Sequence, residues 1–256
     1  MGIEVFNRYE KKFLLNAETY ERFNEAIKPY MVMDAYNEAN GFYTISNIYF
    51  DTVSDELIRK SLDKPLYKEK LRLRAYGVPK SGDLVYLEIK KKFNGLVNKR
   101  RTNLELDEAY HYIESKTLEE LKPYHNKQVI NEIQYIMNCY ALEPAVYIAY
   151  DRKAMFGDGL RITFDTNIRT RRYDLKLESG DYGEQLLEDG RWLMEIKAEN
   201  AMPLWITHLL SELKVFPTSF SKYGSEYEKQ SIKYPERRKV LCLNPYLQAH
   251  QVSASL

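Results

Sequence analysis

Five consecutive residues, Lys70-Leu71-Arg72-Leu73-Arg74, constrain this chain more than any other stretch. Side chains alternate across a β-strand, so this segment puts three cations on one face and two leucines on the other. The arrangement recurs along the chain. Arg8, Glu10 and Lys12 share one side of an early candidate strand. Tyr86, Glu88, Lys90 and Lys92 oppose Val85, Leu87 and Ile89, and Lys99 and Arg101 follow across an Asn94-Gly95 hairpin signal. Arg161, Thr163 and Asp165 oppose Leu160, Ile162 and Phe164, while Glu195 and Lys197 stand opposite Met194 and Ile196.

Neighbouring strands lie about 4.8 Å apart. Two like charges at that range cost roughly 3 kcal/mol at an effective dielectric of about 20. An outer face relieves this by interleaving acids and spreading into water. Lys70, Arg72, Arg74, Lys90, Lys99 and Arg101 read as too one-sided for that relief, and they call for a polyanion. One such strand alone would be the solvated face of an ordinary sheet. Repeated strand after strand, the pattern predicts an α+β fold: a closed antiparallel eight-stranded β-barrel with a cationic lumen and helices packed on the outside. A chain of phosphates suits such a tunnel, since Arg offers bidentate forks and Lys point charges.

Period-two alternation predicts the strands at 5–15, 43–51, 67–76, 84–92, 97–106, 145–154, 160–168 and 191–198. Helical spacing predicts helices at 17–28 behind an Asn16 cap, at 55–62 behind Ser54, and at 221–232. Pro203, where a helix start tolerates proline, opens a further helix over 204–213, and 107–140 reads as two or three helices broken at Pro123. With no repeat and no linker, residues 1–235 form one domain and 236–256 a tail. The 22 tyrosines, within 13% aromatic residues, favour strands.

Composition excludes several classes. At 44% apolar and 29% charged residues the chain is not disordered. A net charge of +1 argues against nucleic acid bound through a global positive field. Cys139 and Cys242 form no CxxC, and the four histidines form no HExxH, so neither a disulfide framework nor a zinc site is expected. There is no GxxxxGK[ST] and no GxSxG; Gly157-Asp158-Gly159 reads as a hairpin turn, and the two SxxK matches are at chance level. The lack of a long apolar run or a leader-like N-terminus predicts a cytoplasmic protein that does not itself span a membrane. Glu195, alternating onto the ionic face, is the best candidate to place Mg²⁺ or Mn²⁺ on phosphate oxygens, with a plain ion pair as the competing role. Glu10, Glu88 and Asp165 fit better as partners of the bases beside them.

In order along the chain, Arg8-Tyr-Glu-Lys-Lys12, Leu71-Arg-Leu-Arg74, Leu87-Glu-Ile-Lys90, Lys99-Arg-Arg101, Asp151-Arg-Lys153, Leu160-Arg-Ile-Thr-Phe-Asp165, Met194-Glu-Ile-Lys197 and Phe220-Ser-Lys222-Tyr223 resemble the polyphosphate polymerase (VTC) domain family. That family belongs to the triphosphate tunnel metalloenzyme superfamily. The resemblance implies an ATP-dependent polyphosphate polymerase that moves the γ-phosphate onto a growing polyphosphate chain with Mn²⁺ or Mg²⁺. Lys12, Arg72, Arg74, Lys90, Arg152 and Arg161 would carry catalysis. Lys99, Arg101, Lys197 and Lys222 would hold phosphate, and Glu195 the metal. Arg100 and Arg101 rival Lys99 across the hairpin, and alternation adds Arg169 to the same face. Implied partners are ATP and inorganic polyphosphate; nucleic acid is not one, and a membrane partner protein is compatible. Hydrolytic relatives carry Glu-x-Glu-x-Lys where this chain has Arg8-Tyr9-Glu10-Lys11-Lys12, which favours a phosphate acceptor over water. Because Glu10 survives, an inorganic or nucleoside triphosphatase stays as an alternative, and a non-catalytic polyphosphate-binding subunit as a third. Larger relatives add a regulatory domain and membrane helices; neither is seen here, so built-in translocation is not expected.

Overall fold

The computed structural model describes residues 9–35, 37, 41–94, 96–199 and 201–234. Arg8, Gly95 and the expected tail at 236–256 lie outside them. In chain order the elements are β1 (Tyr9–Leu15), α1 (Ala17–Ile27), β2 (Val32–Met33), β3 (Tyr43–Asp51), α2 (Glu56–Leu62), β4 (Tyr67–Tyr76), β5 (Leu84–Phe93) and β6 (Leu96–Glu105). They continue with α3 (Leu106–Ser115), α4 (Lys127–Cys139), β7 (Glu143–Gly157), β8 (Leu160–Arg171), β9 (Glu184–Gln185), β10 (Trp192–Ala198), α5 (Leu204–Glu212) and α6 (Lys222–Lys233).

All the strands join one antiparallel sheet in the order β1-β10-β8-β7-β3-β4-β5-β6, with the two-residue β2 and β9 added on β7 and β8. The eight strands of that path are the eight expected from alternation. The barrel is not closed by backbone pairing: among the described residues no ladder joins β6 to β1. The free edge of β1 is partly taken by another segment, because Thr218 donates its N–H to the Lys12 carbonyl at 2.7 Å. The sheet nonetheless curls. Lys90 on β5 lies within electrostatic reach of Glu10 and Lys12 on β1 and of Glu195 on β10.

Apolar residues of the outer face lie under helices. Leu71, Leu73, Val85, Leu87, Ile89 and Leu104 pack with Ala109 and Tyr112 of α3 and with Ile133 and Ile136 of α4. Phe13, Leu15, Phe164, Met194 and Ile196 pack with Phe23 of α1 and Ile206 of α5. Burying both sets under helices leaves the ionic residues on the concave side. Part of that side is apolar too: Ile45, Val146, Ile148 and Leu193 belong to a third cluster covered by Tyr223 of α6.

Local signals set most boundaries. Asn16 accepts the Thr19 N–H at 2.8 Å, as a cap should. Ser54 does not cap α2; the buried Asp51 carboxylate accepts the Leu57 and Ile58 N–H groups at 2.8 and 2.9 Å instead. Pro203 caps α5, which opens at Leu204 as expected. Asp158 and Gly159 have φ of 49° and 68°, the left-handed pair a tight β7–β8 hairpin requires. A side chain at Gly157 would meet the Tyr30 carbonyl at 2.0 Å, so that position must stay bare. Among the described residues no helix is long and apolar enough to cross a membrane.

Candidate functional site on the concave face

Register decides which charges meet. Lys70 on β4 pairs with Lys90 on β5, and Lys90 with Lys99 on β6. Glu88 is flanked by Arg72 on one side and Arg101 on the other. Across the other half of the sheet, Lys12 pairs with Glu195, Glu195 with Thr163, and Lys197 with Arg161. Arg152 on β7 pairs with Asp165 on β8. Lys12, Arg72, Arg74, Lys90, Lys99, Arg101, Arg152, Arg161, Glu195 and Lys197 therefore project onto the same concave face, and Lys222 at the start of α6 joins them.

Three acidic hubs organise the cations. Glu88, 1% exposed, takes Arg72 at 2.6 Å, Lys99 at 2.8 Å and Arg74 at 3.7 Å. Burial would push its carboxyl up, but Arg72, Arg74 and Lys99 hold it well below the usual range. Asp165 receives a two-point bond from Arg152, at 2.6 and 2.8 Å, and a bond from Lys222. Its carboxyl, too, is raised by burial and more than offset by Arg152 and Lys222. Glu195 lies 2.8 Å from Lys197 and 3.9 Å from Lys12, while Glu10 lies 3.7 Å from Lys12 and 3.8 Å from Lys197. The expectation that these bases are too one-sided for acidic relief is thus corrected: Glu88 neutralises part of the β4–β6 set, in the partner role expected of it.

Cations still outnumber the acids. Lys90 makes no hydrogen bond or ion pair among the described residues, and burial pushes its ammonium pKa down. Lys70 donates to the Ser221 hydroxyl at 3.2 Å; burial lowers its pKa to about 8 despite the Tyr49 phenol. Burial likewise brings Lys99 to about 8, although Glu88 opposes it. Lys12 donates to the Phe220 carbonyl at 3.0 Å. Arg101 lies over the Tyr86 ring at 4.6 Å. Arg161 sits at the rim, 5.2 Å over Phe156 and 3.9 Å from Asp34.

Two further expectations are settled by side-chain direction. Arg100 points outward to Glu132 at 2.7 Å, so Lys99 and Arg101 are the inward residues of the hairpin. Arg169 does not line the face. The β7–β8 register shifts between Ala149 and Asp151, which places Arg169 opposite Ala149 on the outer side. There it is saturated by Asp151 and by Asp181 at 2.6 Å, beside a cleft of about 460 Å³ also lined by Phe42, Tyr43 and Tyr182.

Alternation alone did not single out Asn47, Tyr49 and Tyr150. Arg74 donates to Asn47 Oδ1 at 2.9 Å and to the Tyr150 hydroxyl at 3.1 Å, and Arg72 donates to the Tyr49 hydroxyl at 2.9 Å. A buried asparagine in mid-strand was the available signal, since such a residue needs a polar partner.

Among the described residues no three His, Cys, Asp or Glu side chains cluster as a metal cage. Glu10 and Glu195 nevertheless form a pair of hard oxygen donors bridged by the same two lysines. Burial raises Glu195, but Lys197, Lys12 and Arg152 keep it ionised far below neutrality. Beside it, the Thr163 Oγ1 is buried with no hydrogen-bond partner among the described residues. Two carboxylates plus substrate oxygens and water is a donor set that suits Mg²⁺ or Mn²⁺.

Comparison with known proteins follows the same lines. A family model for the VTC domain matches residues 7–230. No curated protein matches the chain. Among solved structures, a Bacillus halodurans protein provisionally assigned as an adenylate cyclase shares the fold at a TM-score of 0.55 and 15% identity, covering 86% of this chain and 96% of that one. A Vibrio parahaemolyticus protein with the same provisional assignment gives 0.46 at 11% identity, covering 88% and 99%. A Hippeastrum protein with a dominant triphosphatase activity gives 0.44 at 15% identity, covering 84% and 92%.

Proposed function

The chain belongs to the VTC domain family, and on that premise we propose that its concave face is a tunnel for phosphate chains, in which the γ-phosphate of ATP passes to a growing polyphosphate. The observation that carries this reading is the convergence of Arg72, Arg74, Lys90 and Lys99 with Lys12, Arg152 and Lys222 on one curled face where acids are outnumbered. Phosphoryl transfer needs positioning and neutralised charge rather than a protein nucleophile. Arg72 and Arg74, fixed by Glu88 and Asn47, present oriented guanidinium donors. Arg152 is held by Asp165, and Lys70, Lys90 and Lys99 add ammonium groups along the face. Arg161 and Lys197 extend the basic surface towards the rim.

Glu195 and Glu10 would hold a divalent Mg²⁺ or Mn²⁺, which when bound neutralises developing charge on phosphate oxygens. ATP as donor fits a cytoplasmic setting. A triphosphatase on the same face is the second reading, favoured by one observation: Glu10 points inward beside Glu195, so a second carboxylate is at hand to orient water. Incubating the pure protein with ATP and Mn²⁺ tests the two. Formation of ADP with phosphate chains supports the polymerase; ADP with orthophosphate alone supports the hydrolase; no turnover with retained anion binding leaves a binding subunit.

A further inference from the structure

Tyr49, on the cationic face, is a phenol whose hydrogen bonding is out of balance among the described residues. It is 9% exposed, and its hydroxyl accepts from Arg72 at 2.9 Å. Among the described residues nothing accepts its own proton. The nearest phenol, Tyr223, has its ring centre 5.2 Å away but gives its hydroxyl to Asp51 at 2.9 Å. From β4, Lys70, Arg72 and Arg74 face Tyr49, and Glu88 of β5 stands behind Arg72. From β7, the Tyr150 hydroxyl already receives Arg74, and Lys222 of α6 lies 4.1 Å over the Tyr150 ring. Val146, opposite Tyr49 on β7, and Ile58 of α2 offer no polar atom. A phenol so placed either loses its proton to solvent, its phenolate held by the surrounding cations, or donates it in a hydrogen bond to an incoming oxygen.

We propose that Tyr49 is a proton-linked phosphate ligand, an anion among Lys70, Arg72 and Arg74 that takes one proton from solvent when a phosphate chain arrives and then donates it to a phosphate oxygen. This rests on the reading of the face as a phosphate tunnel. No bond to phosphorus is made or broken; one proton moves from bulk solvent to the phenolate oxygen. The electrostatics agree: burial pushes the phenol up, but Arg72, Arg74 and Lys70 outweigh it and bring it to about 7. Phosphate charge would neutralise the same cations and drive the phenol back to its protonated form.

The experiment follows the near-ultraviolet absorbance of tyrosinate, which lysines do not contribute. A pH titration of the ligand-free protein should show a tyrosine ionising close to neutrality, lost in Tyr49→Phe and kept in Tyr150→Phe. Adding tripolyphosphate to the wild type at mildly alkaline pH should abolish that signal. At mildly acidic pH, Tyr49→Phe should weaken tripolyphosphate binding about tenfold, the loss of one charge-assisted hydrogen bond. An ionising tyrosine that survives Tyr49→Phe, or tripolyphosphate binding that leaves the signal unchanged, overturns the proposal while the tunnel reading stands. Failure of tripolyphosphate to bind the wild type at all overturns both. Because the neutral-pH titration is read on the wild type, a variant that folds poorly does not rescue the idea.

Discussion

Arg152 grips both oxygens of Asp165 across the β7–β8 ladder, at 2.6 and 2.8 Å, while Lys222 of α6 reaches the same carboxylate. One buried acid therefore ties a strand pair to the helix that follows Thr218. Asp165→Ala leaves two cations without compensation and is expected to cost about 3–5 kcal/mol of stability. A urea melt reads the loss, and added tripolyphosphate should recover part of it by occupying the vacated charge. An unchanged midpoint would contradict the role given to Asp165.

Inward and outward arginines should behave differently. Arg72→Ala and Arg74→Ala are each expected to lose about 1.5–3 kcal/mol of tripolyphosphate binding. Arg169→Ala, facing Asp151 and Asp181 on the outer side, should leave that affinity as it is. Titration calorimetry on all three decides; an Arg169 loss equal to the others would refute the side-chain directions described.

Glu195→Ala removes a carboxylate that two lysines and Arg152 keep ionised. Turnover of ATP should vanish while tripolyphosphate binding persists, because the change adds net positive charge to the face. Binding and product formation measured on one preparation separate the outcomes, and retained turnover would remove Glu195 from the metal role.

Stability should fall in acid. Glu88, Asp165 and Glu195 stay ionised in the folded chain to lower pH than in the unfolded one. Their contribution is fully present above the unfolded carboxylate value of about 4, and it is lost as pH drops below that value and through the folded ones. Urea midpoints collected from neutral pH downward test this, and a midpoint that rises on acidification is the contrary result.

Much of the site could be read from alternation because several inward cations sit on strands with an apolar opposite face. Leu71 and Leu73 fix where Lys70, Arg72 and Arg74 point, just as Met194 and Ile196 fix Glu195 and Lys197. Alternation failed where the backbone broke its own period. The shift near Ala149 turned Arg169 outward, and Asn167, in the left-handed region at φ 49°, marks it on β8. That Glu88 partners nearby bases was legible, but which ones was not, since Arg72 and Lys99 meet it from strands on either side of its own. The cap of α2 was misread for a similar reason: Asp51 reaches forward from the end of β3, outcompeting the adjacent Ser54.

The Thr218 contact on β1 carries a consequence for the life of the chain in solution. A bare outer strand is a template on which a second molecule can add its own backbone, the first step towards fibrils or precipitates. Thr218 holds the Lys12 carbonyl, and Phe220 draws the Lys12 ammonium to the same spot. The chain thereby guards its own seam with a segment that follows β10, the strand that pairs β1 on its other side.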